Sequence, residues 1–441
     1  MLHQHVFDFN SLTLLPVRRR LLRHGSPLQT SHMSDAPRPS GTPPRRALAN
    51  ATRRRPPWWQ RLRWDRLAVV AVPPILFSVV LVALISDDSS TVTASTAPAT
   101  TTSTTTTWRP ASTRCVATSG FDTHTKLAQL VMVAYNSAPA ESVTALLARV
   151  DPPGGLLFTG AAQPALTSGV IRDLTAASPA LVAVDDEGGR VDRLGKNGPP
   201  LVSARRLGST ATPAEILQLT TARSVALRGL GVTINFAPVV DLSSEPDKGP
   251  IGDRSFSTDP TVVTNDAGAF AAGMRAGGVL PTLKHYPGHG RASGDSHDAA
   301  VTTPPIGSLR AGDLVPYRTI LDQGEAAVMV GHLDVPGLTE PGVPASLSPA
   351  TYQMLRTVDQ FNGLAITDEL GAMTAVAGRF ELPEAAMRAI IAGADMVIIS
   401  PSTAFDAVVS RLDAAAGSGE LPAARIDEAF GRVRQAQGCT S

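Results

Sequence analysis

The stretch Lys284-His285-Tyr286-Pro287-Gly288-His289-Gly290-Arg291-Ala292-Ser293-Gly294-Asp295-Ser296-His297 gathers groups that hold and move protons. Its glycines and proline make the middle a loop rather than a helix. Asp295 and His297 lie two residues apart, so their side chains meet only where the backbone turns. A carboxylate bonded to an imidazole fixes the tautomer and raises the basicity of the ring, which suits general acid–base work near neutral pH. A second candidate is Asp368, at the end of the apolar run Leu364-Ala365-Ile366-Thr367. There a carboxylate can attack an anomeric carbon, or it can pair structurally with a neighbouring Arg or Lys.

A metal site is the competing chemistry, since His285, His289, Asp295 and His297 are all ligand types. His285-x-x-x-His289 straddles Pro287-Gly288, however, so helical spacing cannot bring both imidazoles to one ion. A barrel metallohydrolase would also draw ligands from several other strand ends, and the first strand offers only Tyr135. The expectation is chemistry without a metal or other cofactor.

These residues need a frame. From about Phe121 the chain alternates short β-branched runs with longer amphipathic stretches. The candidate strands are Val131–Tyr135, Gly155–Phe158, Leu181–Asp185, Val232–Ala237, Pro281–Tyr286, Ala327–His332, Leu364–Asp368 and Met396–Ser400. Helix-like stretches include Ser142–Val150, Ile216–Arg228, Asp266–Ala276, Leu314–Gln323, Pro349–Val358 and Pro383–Ala392. Repeated βα units predict a parallel sheet, here an α/β fold of the (β/α)8 TIM-barrel type, single-domain over residues 112–441. An open doubly wound sheet is the alternative, but no Gly-rich phosphate loop opens any helix. Polar residues end the apolar strands at Asp185-Asp186-Glu187, before Asp241, at Lys284-His285, at His332 and at Asp368. In a barrel those positions share the catalytic face. About forty residues follow the eighth strand, so a catalytic acid should come from the barrel's own loops.

The net charge of +1 conceals an uneven distribution. Residues 1–66 hold thirteen arginines and three acidic residues, with many prolines, and read as a disordered cytoplasmic tail. Leu67 to Ile85 carries no charge and, at about 19 residues, nearly spans a hydrocarbon core of roughly 30 Å. Arginines before it and Asp87-Asp88 after it predict a single transmembrane helix with the remainder outside the cell. A cleaved signal, read from a start at Met33, is the alternative. Residues 86–111 form a Ser/Thr-rich spacer. Nothing beyond residue 66 is basic enough to suggest a nucleic-acid partner. Cys115 and Cys439, the only two cysteines, flank the folded region and could be bridged outside the membrane. A monomer is expected.

The motifs Val184-Asp185-Asp186-Glu187-Gly188-Gly189-Arg190-Val191-Asp192-Arg193, Asn235-Phe236-Ala237-Pro238-Val239-Val240-Asp241 and Gly252-Asp253-Arg254-Ser255-Phe256 come in that order. Lys284–His297, Pro344-Ala345-Ser346-Leu347-Ser348 and Ile366-Thr367-Asp368 follow. Together they resemble glycoside hydrolase family 3 in its β-N-acetylglucosaminidase branch, over roughly Phe121 to Gln437. The resemblance implies a retaining mechanism with Asp368 as nucleophile and His297, oriented by Asp295, as acid/base. It further implies that Asp185, Arg193, Arg254, Lys284 and His285 hold the terminal N-acetylglucosamine. Asp186 departs from the pattern, standing where Gln is common, and is expected to add a charge beside a binding carboxylate. The Met at position 373 sits one residue later than in the commonest form.

All four tryptophans (58, 59, 64 and 108) precede the barrel, so a short pocket for one terminal sugar is expected rather than a stacking groove. The leading expectation is an exo-β-N-acetylglucosaminidase acting on cell-wall peptidoglycan fragments, its partner a small GlcNAc-containing carbohydrate. The alternatives are a broader β-hexosaminidase or β-glucosidase, a phosphorylase, and an inactive wall-binding module.

Overall fold

The computed structural model describes residues 120–439, apart from 137–139, 161–165 and 176–177. The tail, the apolar run Leu67–Ile85 and the Ser/Thr-rich spacer lie outside the described residues. Among those described, no helix is long and apolar enough to cross a membrane.

Eight parallel strands close into a barrel: β1 (Val131–Tyr135), β2 (Gly155–Phe158), β3 (Leu181–Val184), β4 (Ile234–Asn235), β5 (Leu280–Tyr286), β7 (Ala327–Val330), β9 (Ala365–Glu369) and β10 (Met396–Ile399). β1 pairs with both β2 and β10, which seals the circle. The remaining pair, β6 (Val301–Thr302) and β8 (Leu333–Asp334), forms a small parallel ribbon outside the barrel. Barrel strands are covered on both faces, which is why they read as continuous apolar runs instead of alternating ones. Every residue of β2, β3, β5, β7 and β10 is buried, including Lys284 and His285 in β5.

The fourth strand is shorter than its apolar run suggests. Regular pairing covers two residues, although Thr233 N and Phe236 N still donate to Val182 O and Val184 O, and Ala237 O accepts from Thr282 N. Pro238 follows and has no N–H to continue the ladder.

The helices that flank β4 and β5 carry strong sequence signals at their starts. Pro213–Gly229 begins with a capping box between Thr212 and Glu215 and a proline in its first turn. Pro260–Ala276 begins from an Asp259 cap and runs six residues further back than its apolar pattern implied. The two helices approach closely at Gly273, where a Cβ would lie 1.9 Å from Thr220 Oγ1. At the opposite, N-terminal end of the barrel, Arg356, Arg425 and Arg432 all converge on the buried Asp395 at 2.6–3.1 Å. Two helices absent from the sequence-based expectation, Phe405–Ser418 and Ala423–Ala436, complete the outer ring. Cys439, just beyond them, is disulfide-bonded. Cys115, the other cysteine of the chain, lies outside the described residues.

Candidate active site

The strand ends bring a charged cluster to one mouth of the barrel. Lys284, on β5, places Nζ 2.6 Å from Asp185 Oδ1 and 2.7 Å from Glu187 Oε1. Glu187 also takes Arg254 as a bidentate pair, 2.8 Å at each oxygen. Burial opposes charge on Glu187, but Arg254 and Lys284 together hold its carboxyl far below the usual carboxylate range. Burial likewise works against the charge of Lys284, and Asp185 and Glu187 reverse it, so its ammonium is raised above its ordinary pKa. The result is a fixed array of ionised donors and acceptors, suited to vicinal sugar hydroxyls. Asp185 keeps 23% of its side chain exposed, whereas Lys284 keeps 2%, so the acceptor faces the opening more than the donor does.

Arg193, the remaining expected sugar contact, is half-buried, and its Nε is buried without a hydrogen-bond partner among the described residues. A guanidinium N–H left unsatisfied in this way is available to an acceptor that arrives with a ligand.

His285 is fixed by Asp241. Its Nδ1 is 2.7 Å from Asp241 Oδ2, and an ionised carboxylate only accepts, so the ring proton sits on Nδ1. Nε2 then faces Arg254 Nη2 at 3.4 Å. The other oxygen of Asp241 accepts the backbone N–H of His289 at 2.7 Å. Burial raises the Asp241 carboxyl, but His285 and His289 outweigh it and leave it lowered.

The glycine-rich loop departs from this point. His289 is buried, its ring 5.7 Å from that of His285, and its Nε2 is 3.0 Å from Ser296 Oγ. Asp295 and His297 do meet through a turn. Asp295 Oδ1 accepts from His297 N at 2.9 Å and from Nδ1 at 2.8 Å. The proton on Nδ1 leaves Nε2 as the atom that can give or take one. Burial raises the Asp295 carboxyl, and the two His297 donors bring it below its ordinary value. The His297 side chain is 66% exposed. Its backbone carbonyl accepts from Thr374 N, and that of Ser296 from Ala375 N, so the loop rests on the segment just past β9. Among the described residues, no hydrogen bond joins His297 to Asp368.

Asp368 is half-buried at the end of β9, and its Oδ1 accepts from Glu369 N at 2.9 Å. Burial favours the neutral acid, but His285, that backbone N–H and Lys284 hold the carboxyl below its ordinary pKa. His332 is buried with both nitrogens engaged. A carbonyl only accepts, so Nε2–H donates to Glu369 O at 2.8 Å and Nδ1 accepts from the Ser346 hydroxyl at 2.7 Å. Burial keeps this imidazole neutral, its pKa lowered. Glu369 turns away and accepts from Gly371 N and Ala372 N at 2.6 Å each.

The expectation for Asp186 needs correcting. It is 1% exposed, and both its oxygens bind Arg223, at 2.7 and 2.8 Å. Arg223 also reaches Asp192 and Pro199 O. The extra charge is thus neutralised on the helix Pro213–Gly229 and does not stand free beside Asp185. Three further residues had no sugar-site role assigned from sequence: Glu187, Asp241 and His332. Each lies a few residues past the C-terminal end of a barrel strand, and a polar group following an apolar run was the available signal. Among the described residues, no set of three or more His, Cys, Asp or Glu side chains is grouped to hold a metal ion.

A model of the glycosyl hydrolase family 3 N terminal domain matches residues 122–436. The chain belongs to glycosyl hydrolase family 3. It is a glycoside hydrolase, and relatives from several bacteria are consistent with that. The β-hexosaminidase LpqI of Mycobacterium tuberculosis is 44% identical over 325 residues, covering 71% of this chain and 82% of that protein. A crystal structure of a family 3 member from Mycobacterium smegmatis superposes with a TM-score of 0.70 at 43% identity, over 73% of this chain and 98% of that one. A family 3 β-N-acetylglucosaminidase from a Paenibacillus species superposes with a TM-score of 0.67 at 30% identity, over 72% of this chain and 63% of that one.

Proposed function

We propose that this family 3 hydrolase is a retaining exo-β-N-acetylglucosaminidase, held outside the cell by its apolar run at Leu67–Ile85, that trims terminal β-linked N-acetylglucosamine from peptidoglycan fragments. Relatives named β-hexosaminidase and β-N-acetylglucosaminidase support the substrate class. The observation that carries the mechanism is the pairing of an ionised Asp368 with a separate Asp295–His297 dyad on a loop over the same mouth.

Asp185, Glu187, Lys284, Arg254, His285 and Arg193 bind and orient the sugar hydroxyls. Asp368 attacks the anomeric carbon as the bond to the leaving oxygen breaks, and His297 gives that oxygen the proton from Nε2. The covalent glycosyl-enzyme is then opened by water, which loses its proton to the now neutral His297. Asp295 holds the ring's tautomer and stabilises the imidazolium form. A loop that brings His297 over a bound sugar completes the geometry. The absence of tryptophan from the barrel supports a pocket for one terminal residue.

The test is release of phenol from aryl β-N-acetylglucosaminides by the purified chain, in parallel with Asp368→Asn and Asp295→Ala. Parent activity lost in Asp368→Asn is the expected result; equal rates in parent and variant would remove the enzyme mechanism. Once it has given up its proton His297 is neutral and repels anions less than a carboxylate would, so phosphate as acceptor is the second reading. Sugar 1-phosphate formed in phosphate buffer would replace hydrolysis by phosphorolysis.

A further inference from the structure

The tip of the acid/base loop has one inward-facing side chain. At its base, Ser293 N donates to Thr302 O and Thr302 N donates to Ser293 Oγ, both at 2.9 Å, so residues 293 and 302 clamp the loop together. Beyond that clamp Gly294 and Asp295 are half-buried, and His297 and Asp298 are exposed. Between residues 294 and 300 only Ser296 is buried, 2% exposed, and its Oγ meets His289 Nε2 at 3.0 Å. The residues before and after it are the dyad itself.

His289 is in turn set by the barrel. Its backbone N–H ends on Asp241 Oδ1, and Asp241 Oδ2 holds the ring of His285. One carboxylate therefore gives a common reference to a sugar-facing imidazole and to the contact that locates the dyad. Among the described residues His289 Nδ1 is buried without a hydrogen-bond partner, so Ser296 holds the ring's one hydrogen bond, through Nε2, beside its edge contact with the His285 ring.

We infer that the His289–Ser296 hydrogen bond sets the position of the Asp295–His297 dyad over the sugar, making His289 and Ser296 positioning residues for proton transfer. The inference rests on the proposed role of His297 as acid/base. It requires that loss of the contact harm the protonation of the leaving oxygen and leave the nucleophile and the sugar contacts in place.

Leaving-group dependence separates that role from a purely structural one. An activated dinitrophenyl leaving group needs no proton, whereas an alkyl leaving group does. The quantity to measure is kcat/KM, which reports glycosylation, for both classes of β-N-acetylglucosaminide with the full chain. General acid catalysis is worth about 10²–10⁴-fold, so Ser296→Ala and His289→Asn should lose about tenfold or more on the alkyl substrate and little on the dinitrophenyl one. Ser296→Thr, which keeps the hydroxyl, should recover the alkyl rate, and His297→Ala should show the same selective loss in stronger form. Equal losses on both substrates, or losses that match the fraction of folded protein by thermal melting, would overturn the inference while leaving the proposed function standing. A parent chain inactive on both substrates would overturn both.

Discussion

Glu187 and Arg254 face each other as a bidentate ion pair across the barrel mouth, each carboxylate oxygen 2.8 Å from a different guanidinium nitrogen. Because Glu187 also holds Lys284, it is the keystone of the sugar-facing charges even though Asp185 is the more exposed acceptor. Glu187→Gln keeps the shape and removes the charge, leaving two buried cations to share Asp185. Removing one partner of a buried pair costs about 3–5 kcal/mol. The expected outcome is a lowered Tm together with a raised KM. A variant with the parent's Tm and KM would show that Arg254 and Lys284 are positioned by their packing alone.

Where sequence reading stopped short, the reason is visible in this same motif. Asp185, Asp186 and Glu187 are three consecutive carboxylates just past a buried strand, and alternation no longer holds once the strand has ended. Asp186 turns toward Arg223, 37 residues further on, and only the fold brings that partner close. The barrel itself was legible, because strands buried on both faces leave unbroken β-branched runs between amphipathic helices. The Asp295–His297 contact was legible too, since a Gly-rich loop offers the backbone turn that lets residues two apart meet. His289 entered the sequence reading only as a possible metal ligand, because its partner Ser296 is unremarkable by type. The helices Phe405–Ser418 and Ala423–Ala436 follow the last strand, where no further strand brackets them as a βα unit.

The corrected role of Asp186 makes a prediction of the opposite kind. Asp186→Asn leaves Arg223 buried with Asp192 as its remaining carboxylate. Stability should fall, by about 3 kcal/mol on the scale for broken buried pairs. The effect on kcat/KM should stay below about tenfold, or 1.4 kcal/mol of transition-state binding, because Asp186 does not face the sugar. Thermal melts and steady-state kinetics on one preparation decide it. A kinetic defect without a thermal one would return Asp186 to the pocket.

Acid sensitivity follows from the directions of the shifts. Glu187, Asp241 and Asp368 all have folded pKa values below their ordinary ones of 4.5, 3.8 and 3.8. A lowered folded pKa means the unfolded chain binds the proton more readily. Each group therefore contributes stability that is fully present above its unfolded pKa and is lost as pH falls through the folded value. Urea midpoints should be level above about pH 6.5, begin to fall there because the unfolded chain protonates His289 and His332 more readily than the fold does, and fall further below about pH 4, where Glu187→Gln should flatten the carboxylate part. For the same reason the acid limb of kcat/KM should lie below the ordinary carboxylate range. A limb centred near pH 6 would mean that some group other than Asp368 must lose its proton.

His332 offers a test of how tightly the nucleophile must be held. Its Nε2–H bond to Glu369 O and its Nδ1 contact with Ser346 tie the strand end bearing Asp368 to the Ala345–Leu347 turn. Ser346 is anchored further by its carbonyl, which accepts from Tyr352 Oη at 2.9 Å. The imidazole is neutral, so it acts here as a spacer with one donor and one acceptor, and its removal frees the Glu369–Leu370 peptide, next to Asp368, to move. Displacements near 1 Å in an active site cost about 10²-fold in rate. His332→Phe fills the volume without either hydrogen bond and should lose kcat on that scale for dinitrophenyl and alkyl substrates alike, with KM little changed. His332→Gln, which keeps a donor and an acceptor, should recover part of it. A loss confined to alkyl substrates would instead connect His332 with the proton-transfer loop.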